Sequence, residues 1–190
     1  MVESRVERIN MTIKTVRKVN MKLPIIHVIG LPGAGKTTLA STLSKKFKIP
    51  IFTIGSYRAR FPMTVFGEAD SWLALFNDLS KRHWSNCILE TTGLNAREGF
   101  LSDALPLDKM IVVKLDASRK VLIKRVGLKK KREQGGQWLY SDQYQDKYEF
   151  VKKMYPRFKE IPSHFTIKTD RLKKEQVFRE AVYNIERFIE

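Results

Sequence analysis

The stretch Gly30-Leu31-Pro32-Gly33-Ala34-Gly35-Lys36-Thr37-Thr38 constrains this chain more than any other, because it fits the phosphate-binding pattern G-x-x-x-x-G-K-[ST] at every defined position. The pattern carries weight only between a strand and a helix. Here residues 24–29 (PIIHVI) read as a short buried strand, and residues 36–47 (KTTLASTLSKKF) read as an amphipathic helix with Leu39 and Leu43 one turn apart. Wrapping a triphosphate in backbone N–H groups requires a chain free of obstructing side chains, and Gly30, Gly33 and Gly35 are expected to leave that space open. The phosphates then lie at the N-terminus of the following helix, where unpaired N–H groups and the helix dipole favour an anion. Lys36 would reach the β- and γ-phosphates, and the Thr37 hydroxyl would sit on Mg²⁺.

The 190 residues suffice for one sizeable core, and nothing in them suggests a second. With 36 Lys+Arg against 20 Asp+Glu, the net charge of +16 favours anionic partners. Nucleotides, phosphorylated metabolites and nucleic acid all qualify, and a solvated, soluble surface is the plain alternative. The single cysteine, Cys87, excludes an intramolecular disulfide and, inside Cys87-Ile88-Leu89, reads as a small buried hydrophobe. No apolar run of about 18 or more residues is present, so no membrane span is expected. The N-terminus lacks the uncharged apolar core of a signal peptide, which points to a cytoplasmic protein.

Residues 1–20 form an N-terminal extension in which Val2, Val6, Ile9, Ile13 and Val16 alternate at spacings of four and three, the seam of an amphipathic helix. Its other face carries Arg5, Arg8, Lys14 and Lys18. Such a segment can pack on the domain, pair with a partner helix or lie on an anionic surface. Because Met21 stands just before the first core strand, and Glu3, Glu7 and the short length weaken a membrane or transit role, the extension reads as dispensable.

After the first helix, residues 50–54 (PIFTI) read as a second strand, followed by Arg58 and Arg60, which are placed to hold an anion. Residues 66–82 read as a helix with Trp72, Leu75, Phe76 and Leu79 on a core face. A third strand, 87–89, ends at Glu90, an acidic residue suited to orient Mg²⁺ or its waters. Residues 109–115 form a strong buried strand that leads into 119–132, where eight cations stand within fourteen residues. Val121 and Leu122 would dock the start of this helix, leaving the cations beyond it as a flap able to close over ATP and place positive charge on the transferring group. A solvated charge run or a nucleic-acid patch is the alternative, and Trp138 and Tyr140 suit loop anchoring better than base stacking. Residues 141–155 read as a polar helix, 164–168 as a last strand, and 173–189 as a closing helix with Val177, Ala181, Ile185 and Phe188 inward. In an open parallel sheet ligands bind at the carboxyl ends of the strands, and loops 30–38, 55–60, 90–97, 116–132 and 169–170 all fall on that edge.

In this order and spacing, residues 22–190 resemble the small P-loop kinases similar to adenylate kinase. The resemblance implies an α/β, three-layer P-loop NTPase fold over residues 21–190, a five-stranded parallel sheet of order 2-3-1-4-5, and a basic lid at about 125–140. It implies MgATP as phosphoryl donor, with Gly30, Gly33, Ala34, Gly35, Lys36, Thr37, Thr38, Arg125 and Thr169 holding the nucleotide and Thr37 and Glu90 the metal. Arg125 would stack on adenine and contact phosphate, joining Lys36 as a catalytic cation, and Asp170 would border the adenine with Thr169. On the acceptor side, Gly30-Leu31-Pro32, residues 52–58 and Asn95-Ala96-Arg97-Glu98 resemble 6-phosphofructo-2-kinase and, more distantly, 5′-hydroxyl polynucleotide kinases. Arg58, Arg60, Arg97 and Lys129 would then bind the acceptor. The polynucleotide kinases carry aspartates where Gly55 and Ser56 stand, which leaves Glu90, and after it Asp70, to take the acceptor's proton. The expected activity is ATP-dependent phosphoryl transfer to a nucleoside, nucleotide or other small acceptor. The alternative is a nucleic-acid-associated P-loop NTPase or a polynucleotide kinase.

Overall fold

Six consecutive buried residues, Ile25–Gly30, form the central strand β1 in a computed structural model that describes residues 23–62, 64–94, 109–132 and 146–189. A parallel strand covered by helices on both faces is buried along its whole length and so reads as a near-continuous apolar run. That is why β1 shows no alternation. The remaining strands are β2 (Ile51–Thr53), β3 (Ile88–Thr91), β4 (Met110–Asp116) and β5 (Phe165–Lys168), all parallel and ordered β2-β3-β1-β4-β5. The register sets Val28 beside Glu90 and Val113, and Gly30 beside Leu115.

The helices are α1 (Lys36–Phe47), α2 (Ile54–Arg58), α3 (Val65–Lys81), α4 (Arg119–Arg132), α5 (Lys147–Lys159) and α6 (Lys174–Ile189). One core gathers Ile26, Val28 and Val113 with Leu39 and Leu43 of α1 and Ile185 of α6. A second gathers Ile25, Leu89 and Cys87 with Trp72, Leu75 and Leu79 of α3. Cys87 is fully buried, and burial pushes its thiol up to about 11, so it is the inert hydrophobe expected.

Three local readings change. The second strand stops at Thr53 because the Thr53 hydroxyl accepts from the Ser56 N–H and caps α2, so residues 54–58 are helical rather than loop. Helix α5 runs past Tyr155 and through Pro156 to Lys159, beginning where Asp146 accepts from the N–H groups of Tyr148 and Glu149. Phe188, expected inward, is half exposed; it stacks on Phe165 and meets His164 edge-on, covering the outer strand β5.

Lys114 is buried on β4 and donates to the carbonyls of Lys159 and Ile161, a cation placed at the C-terminus of α5. Lys159 in turn pairs with Asp116 at the end of β4. These two contacts mount α5 on the sheet.

Candidate active site

The loop between β1 and α1 turns through two glycines with positive φ, Gly33 at 86° and Gly35 at 102°. Gly35 occupies the N-cap of α1 and offers its N–H groups no side-chain acceptor, so the helix presents an anion site to the carboxyl edge of the sheet. The three glycines do not share one task. A Cβ on Gly30 would lie 3.0 Å from both the Ala34 Cβ and the Leu115 carbonyl, and one on Gly33 would lie 3.0 Å from the Leu122 carbonyl. Those two permit the loop to pack against β4 and α4. Only at Gly35 would a Cβ meet nothing within 4 Å, and there the space expected for phosphate is open. The Lys36 ammonium arches back over the loop to the Leu31 carbonyl at 3.4 Å.

Glu90 and Thr37 meet as the sequence suggests. Thr37 Oγ1 donates to Glu90 Oε1 at 2.9 Å, while Glu90 Oε2 is buried with no hydrogen-bond partner. An orphaned carboxylate oxygen beside a hydroxyl is a hard oxygen donor set, and it fits Mg²⁺. Among the described residues no cluster of three or more His, Cys, Asp or Glu could hold a metal by protein ligands alone. A cation here would therefore share its coordination with a bound phosphate or water.

One strand position later, Thr91 serves the opposite face. Its Oγ1 accepts from the Gly93 N–H at 2.9 Å and lies 2.8 Å from His27 Nε2. Burial pushes the His27 imidazole down to about 3, so it is neutral and holds Thr91 as a dipole, not as a charge. Gly93, at φ 81°, has no room for a Cβ beside Ile29, which lies 3.0 Å away. Together they pin the turn that leaves β3. Nothing in the sequence reading singled out His27; its signal is a lone imidazole inside an otherwise apolar strand.

On the far side of the loop a cavity of about 490 Å³ is lined by Gly35, Leu39, Arg125, Thr169, Leu172 and Phe178, among others. Arg125 projects from α4 into its wall. It donates to Thr169 Oγ1 at 3.0 Å, to the Thr169 carbonyl at 2.5 Å, and to the Gly33 carbonyl at 3.4 Å. The guanidinium thus joins three chain segments beside the cavity. Thr169 is itself buried, and Asp170 accepts from the Ser118 N–H at 2.9 Å; hydrogen bonds from Ser118 hold the Asp170 carboxyl below its ordinary range, with Arg125 assisting. Leu172 and Phe178 escaped the sequence reading and Val177 entered it only as a core residue, because only contact with this cavity, not spacing, distinguishes them from the core.

The acceptor side departs from expectation. Arg58 is buried, and its Nε and Nη2 form a bidentate pair with Glu68 from the first turn of α3. Glu68 also accepts from Trp72 Nε1 at 2.9 Å. Burial pushes the Glu68 carboxyl up, but the bonds from Arg58 and Trp72 outweigh it and leave the group below its usual range. Arg58 is therefore an internal clamp between α2 and α3, not an open anion site. Arg60 is exposed, its guanidinium 4.5 Å from the centroid of the Tyr57 ring. Tyr57 donates to Asp78 at 2.8 Å, and burial with that bond pushes its phenol up to about 12. Asp70, the base expected in second place, stands exposed on the outer face of α3 between Phe66 and Leu73. Arg97, the Lys129 side chain and residues 133–140, which include Trp138 and Tyr140, lie outside the described residues.

No protein-family profile matches the sequence, and no curated protein matches it significantly. Solved structures do. The chain is similar to a shikimate kinase from Acinetobacter baumannii, with 20% identity, a TM-score of 0.61, and coverage of 90% of this chain and 97% of that one. A gluconokinase from Sinorhizobium meliloti 1021 gives 17%, 0.60, 87% and 93%. The APS kinase of Mycobacterium tuberculosis, solved with AMPPNP and APS, gives 16%, 0.55, 87% and 98%. At these identities the likeness shows the fold.

Proposed function

We propose that this chain is an ATP-dependent kinase that transfers the γ-phosphoryl group of MgATP to a hydroxyl of a small acceptor. One observation carries the reading. The open N-terminus of α1 at Gly35, the Thr37–Glu90 pair and the Arg125–Thr169 cavity wall stand side by side along one sheet edge. The cavity takes the base and ribose, with Arg125 and Thr169 on one wall and Leu172 and Phe178 among the apolar lining. The N–H groups of α1 receive the phosphates, and Lys36 swings from the Leu31 carbonyl to the β- and γ-phosphates. Thr37 and Glu90 would hold Mg²⁺, whose chemistry is to neutralise charge on the terminal phosphates. Glu90 lies on the sheet face that α1 covers, which favours this metal role over acceptance of the acceptor's proton. A loose transition state asks little of a base, so positioning and cationic stabilisation supply most of the rate.

The acceptor enters beside α2 and α3. Because Arg58 is engaged with Glu68, an anionic group on the acceptor falls to Arg60 and, from the sequence pattern, Arg97. The names of the structural neighbours, gluconokinase, shikimate kinase and APS kinase, favour a small molecule over a polymer. The likeness to 6-phosphofructo-2-kinase rests on sequence motifs alone.

The test is transfer of labelled γ-phosphate from MgATP to four acceptor pools: nucleosides and nucleotides, neutral sugars, sugar phosphates, and 5′-hydroxyl polynucleotides. Label is expected in a small-molecule pool, reduced at least about 10²-fold by Lys36→Ala with the fold unchanged. Label released only as inorganic phosphate, more so with nucleic acid, would replace the kinase by an NTPase. A folded Lys36→Ala variant with full activity would remove the site.

A further inference from the structure

Among the described residues the most exposed large hydrophobic side chain is Phe66, at 83%, and Leu73, at 59%, stands two helical turns further along the same face of α3. Between and beyond them the exposed residues are Asp70, Asn77 and Ser80. This stripe, 66, 70, 73, 77 and 80, steps by four, three, four and three. In a chain of net charge +16, α3 carries Glu68, Asp70 and Asp78 against Lys81 alone, a net charge of −2. No other described helix has a net negative charge.

A second stretch of the chain has the same steps and the opposite charge. Val2, Val6, Ile9, Ile13 and Val16 are spaced four, three, four and three, Arg5 and Arg17 flank that seam, and residues 1–20 carry five Lys+Arg against Glu3 and Glu7, a net charge of +3. The chain also enters the fold at the right place. The Leu23 N–H donates to Asn86 Oδ1 at 2.9 Å and the Asn86 N–H donates to the Leu23 carbonyl at 2.8 Å, just past the C-terminus of α3. An open groove of about 600 Å³, lined by Phe52, Asp78, Arg82 and Asn86 among others, lies at the same corner.

We propose that residues 1–20 dock as a helix along α3 and parallel to it, with Val2 level with Phe66 and Ile9 level with Leu73. A helix of 20 residues spans about 30 Å and α3 about 25 Å, so the lengths match. In this register Val16 is level with Ser80, and residues 17–22 cover the distance to Leu23 just as 81–85 cover the distance to Asn86. Arg5, which flanks the seam, is then level with Ala69, one residue from Asp70. Alternating steps of four and three are the repeat that lets two helices keep one seam in contact. Phe66 and Leu73 supply the apolar contact, and the register follows from the entry of the chain at Leu23–Asn86, since a slip of one heptad toward the C-terminus of α3 would strand Phe66 in water and a slip either way would move Arg5 away from Asp70.

The experiment uses the full chain with paired cysteines, the buried Cys87 remaining in place. Under mild oxidation, Ile9→Cys with Leu73→Cys should close an intramolecular disulfide at least about tenfold faster than Ile9→Cys with Phe66→Cys, because one heptad is about 10 Å and a disulfide needs Cα atoms within about 7 Å. Equal rates, or no closure, would overturn the docking. A bridge formed only between two chains would assign α3 to a second copy instead. Should the paired variants fail to fold, hydrogen exchange on the natural chain decides: protection within residues 1–20 that is lost on Leu73→Glu supports the docking, and amides that exchange freely refute it.

Discussion

The Arg58–Glu68 pair makes an asymmetric prediction, because its two ends differ in exposure. The Arg58 side chain is 6% exposed and that of Glu68 is 38% exposed. Glu68→Gln keeps the shape but leaves a guanidinium buried without its counter-charge, and removal of one partner of a buried pair costs about 3–5 kcal/mol. Taking the lower end, since Glu68 is partly wet, the loss is about 3 kcal/mol. Arg58→Met keeps the buried stem and leaves a carboxylate that still accepts from Trp72 and reaches water, at a cost of about 1 kcal/mol. The gap of about 2 kcal/mol is read by urea unfolding at neutral pH, where it separates the two midpoints by about 1 M. The double variant should recover much of the Glu68→Gln loss. Equal costs for the two single variants, or a larger cost for Arg58→Met, would refute the reasoning and return Arg58 to the acceptor.

The loop glycines separate packing from binding. Gly33→Ala combines a positive φ with a Cβ against the Leu122 carbonyl and should cost about 2–4 kcal/mol in thermal unfolding. Gly35→Ala carries only the backbone strain, about 1–2 kcal/mol, yet should abolish the rise in Tm on adding MgATP, because its Cβ enters the open space at the head of α1. A Gly35→Ala variant still stabilised by MgATP would move the phosphates elsewhere. His27 should mark the acid limb of stability. Its folded-state pKa of about 3 lies below the ordinary 6.5, so its contribution is complete above pH 6.5 and declines as pH falls toward 3, by about 1.4 kcal/mol per unit. His27→Gln, which can keep the bond to Thr91, should flatten the stability curve between pH 6.5 and 5 by about 2 kcal/mol; an unchanged slope would show that His27 is not held neutral.

What could be read from the residues alone follows how far each contact reaches along the chain. The strand, loop and helix of 25–47 announce themselves because their signals are adjacent: an apolar run, spaced glycines, then Leu39 and Leu43 one turn apart. Glu90 was legible for a related reason, since an acidic residue closing an apolar strand has few structural uses, and its partner Thr37 belongs to the motif already in hand. The separate tasks of Gly30 and Gly33 were not legible, because the atoms that exclude a Cβ there belong to Leu115 and Leu122, brought near only by the pairing of β1 with β4 and the helix that follows it. His27 stayed hidden similarly, since Thr91 becomes its neighbour only when β3 is placed beside β1.

Arg58 is the instructive error. An arginine just beyond the carboxyl end of a strand is well placed for an anion, but the anion can come from the chain itself. Thr64 caps α3 and sets Glu68 in its first turn, where a carboxylate is favoured by the helix dipole and is within reach of the preceding segment. That capping signal was present in the sequence and identifies the competitor. Arg60 is exposed over the face of Tyr57, with Asp78 near enough to feel its charge, and among the described residues it forms no ion pair. An arginine at a strand end is thus claimed first by a carboxylate in the first turn of the next helix, and on the proposed kinase reading this favours Arg60 over Arg58 for the acceptor.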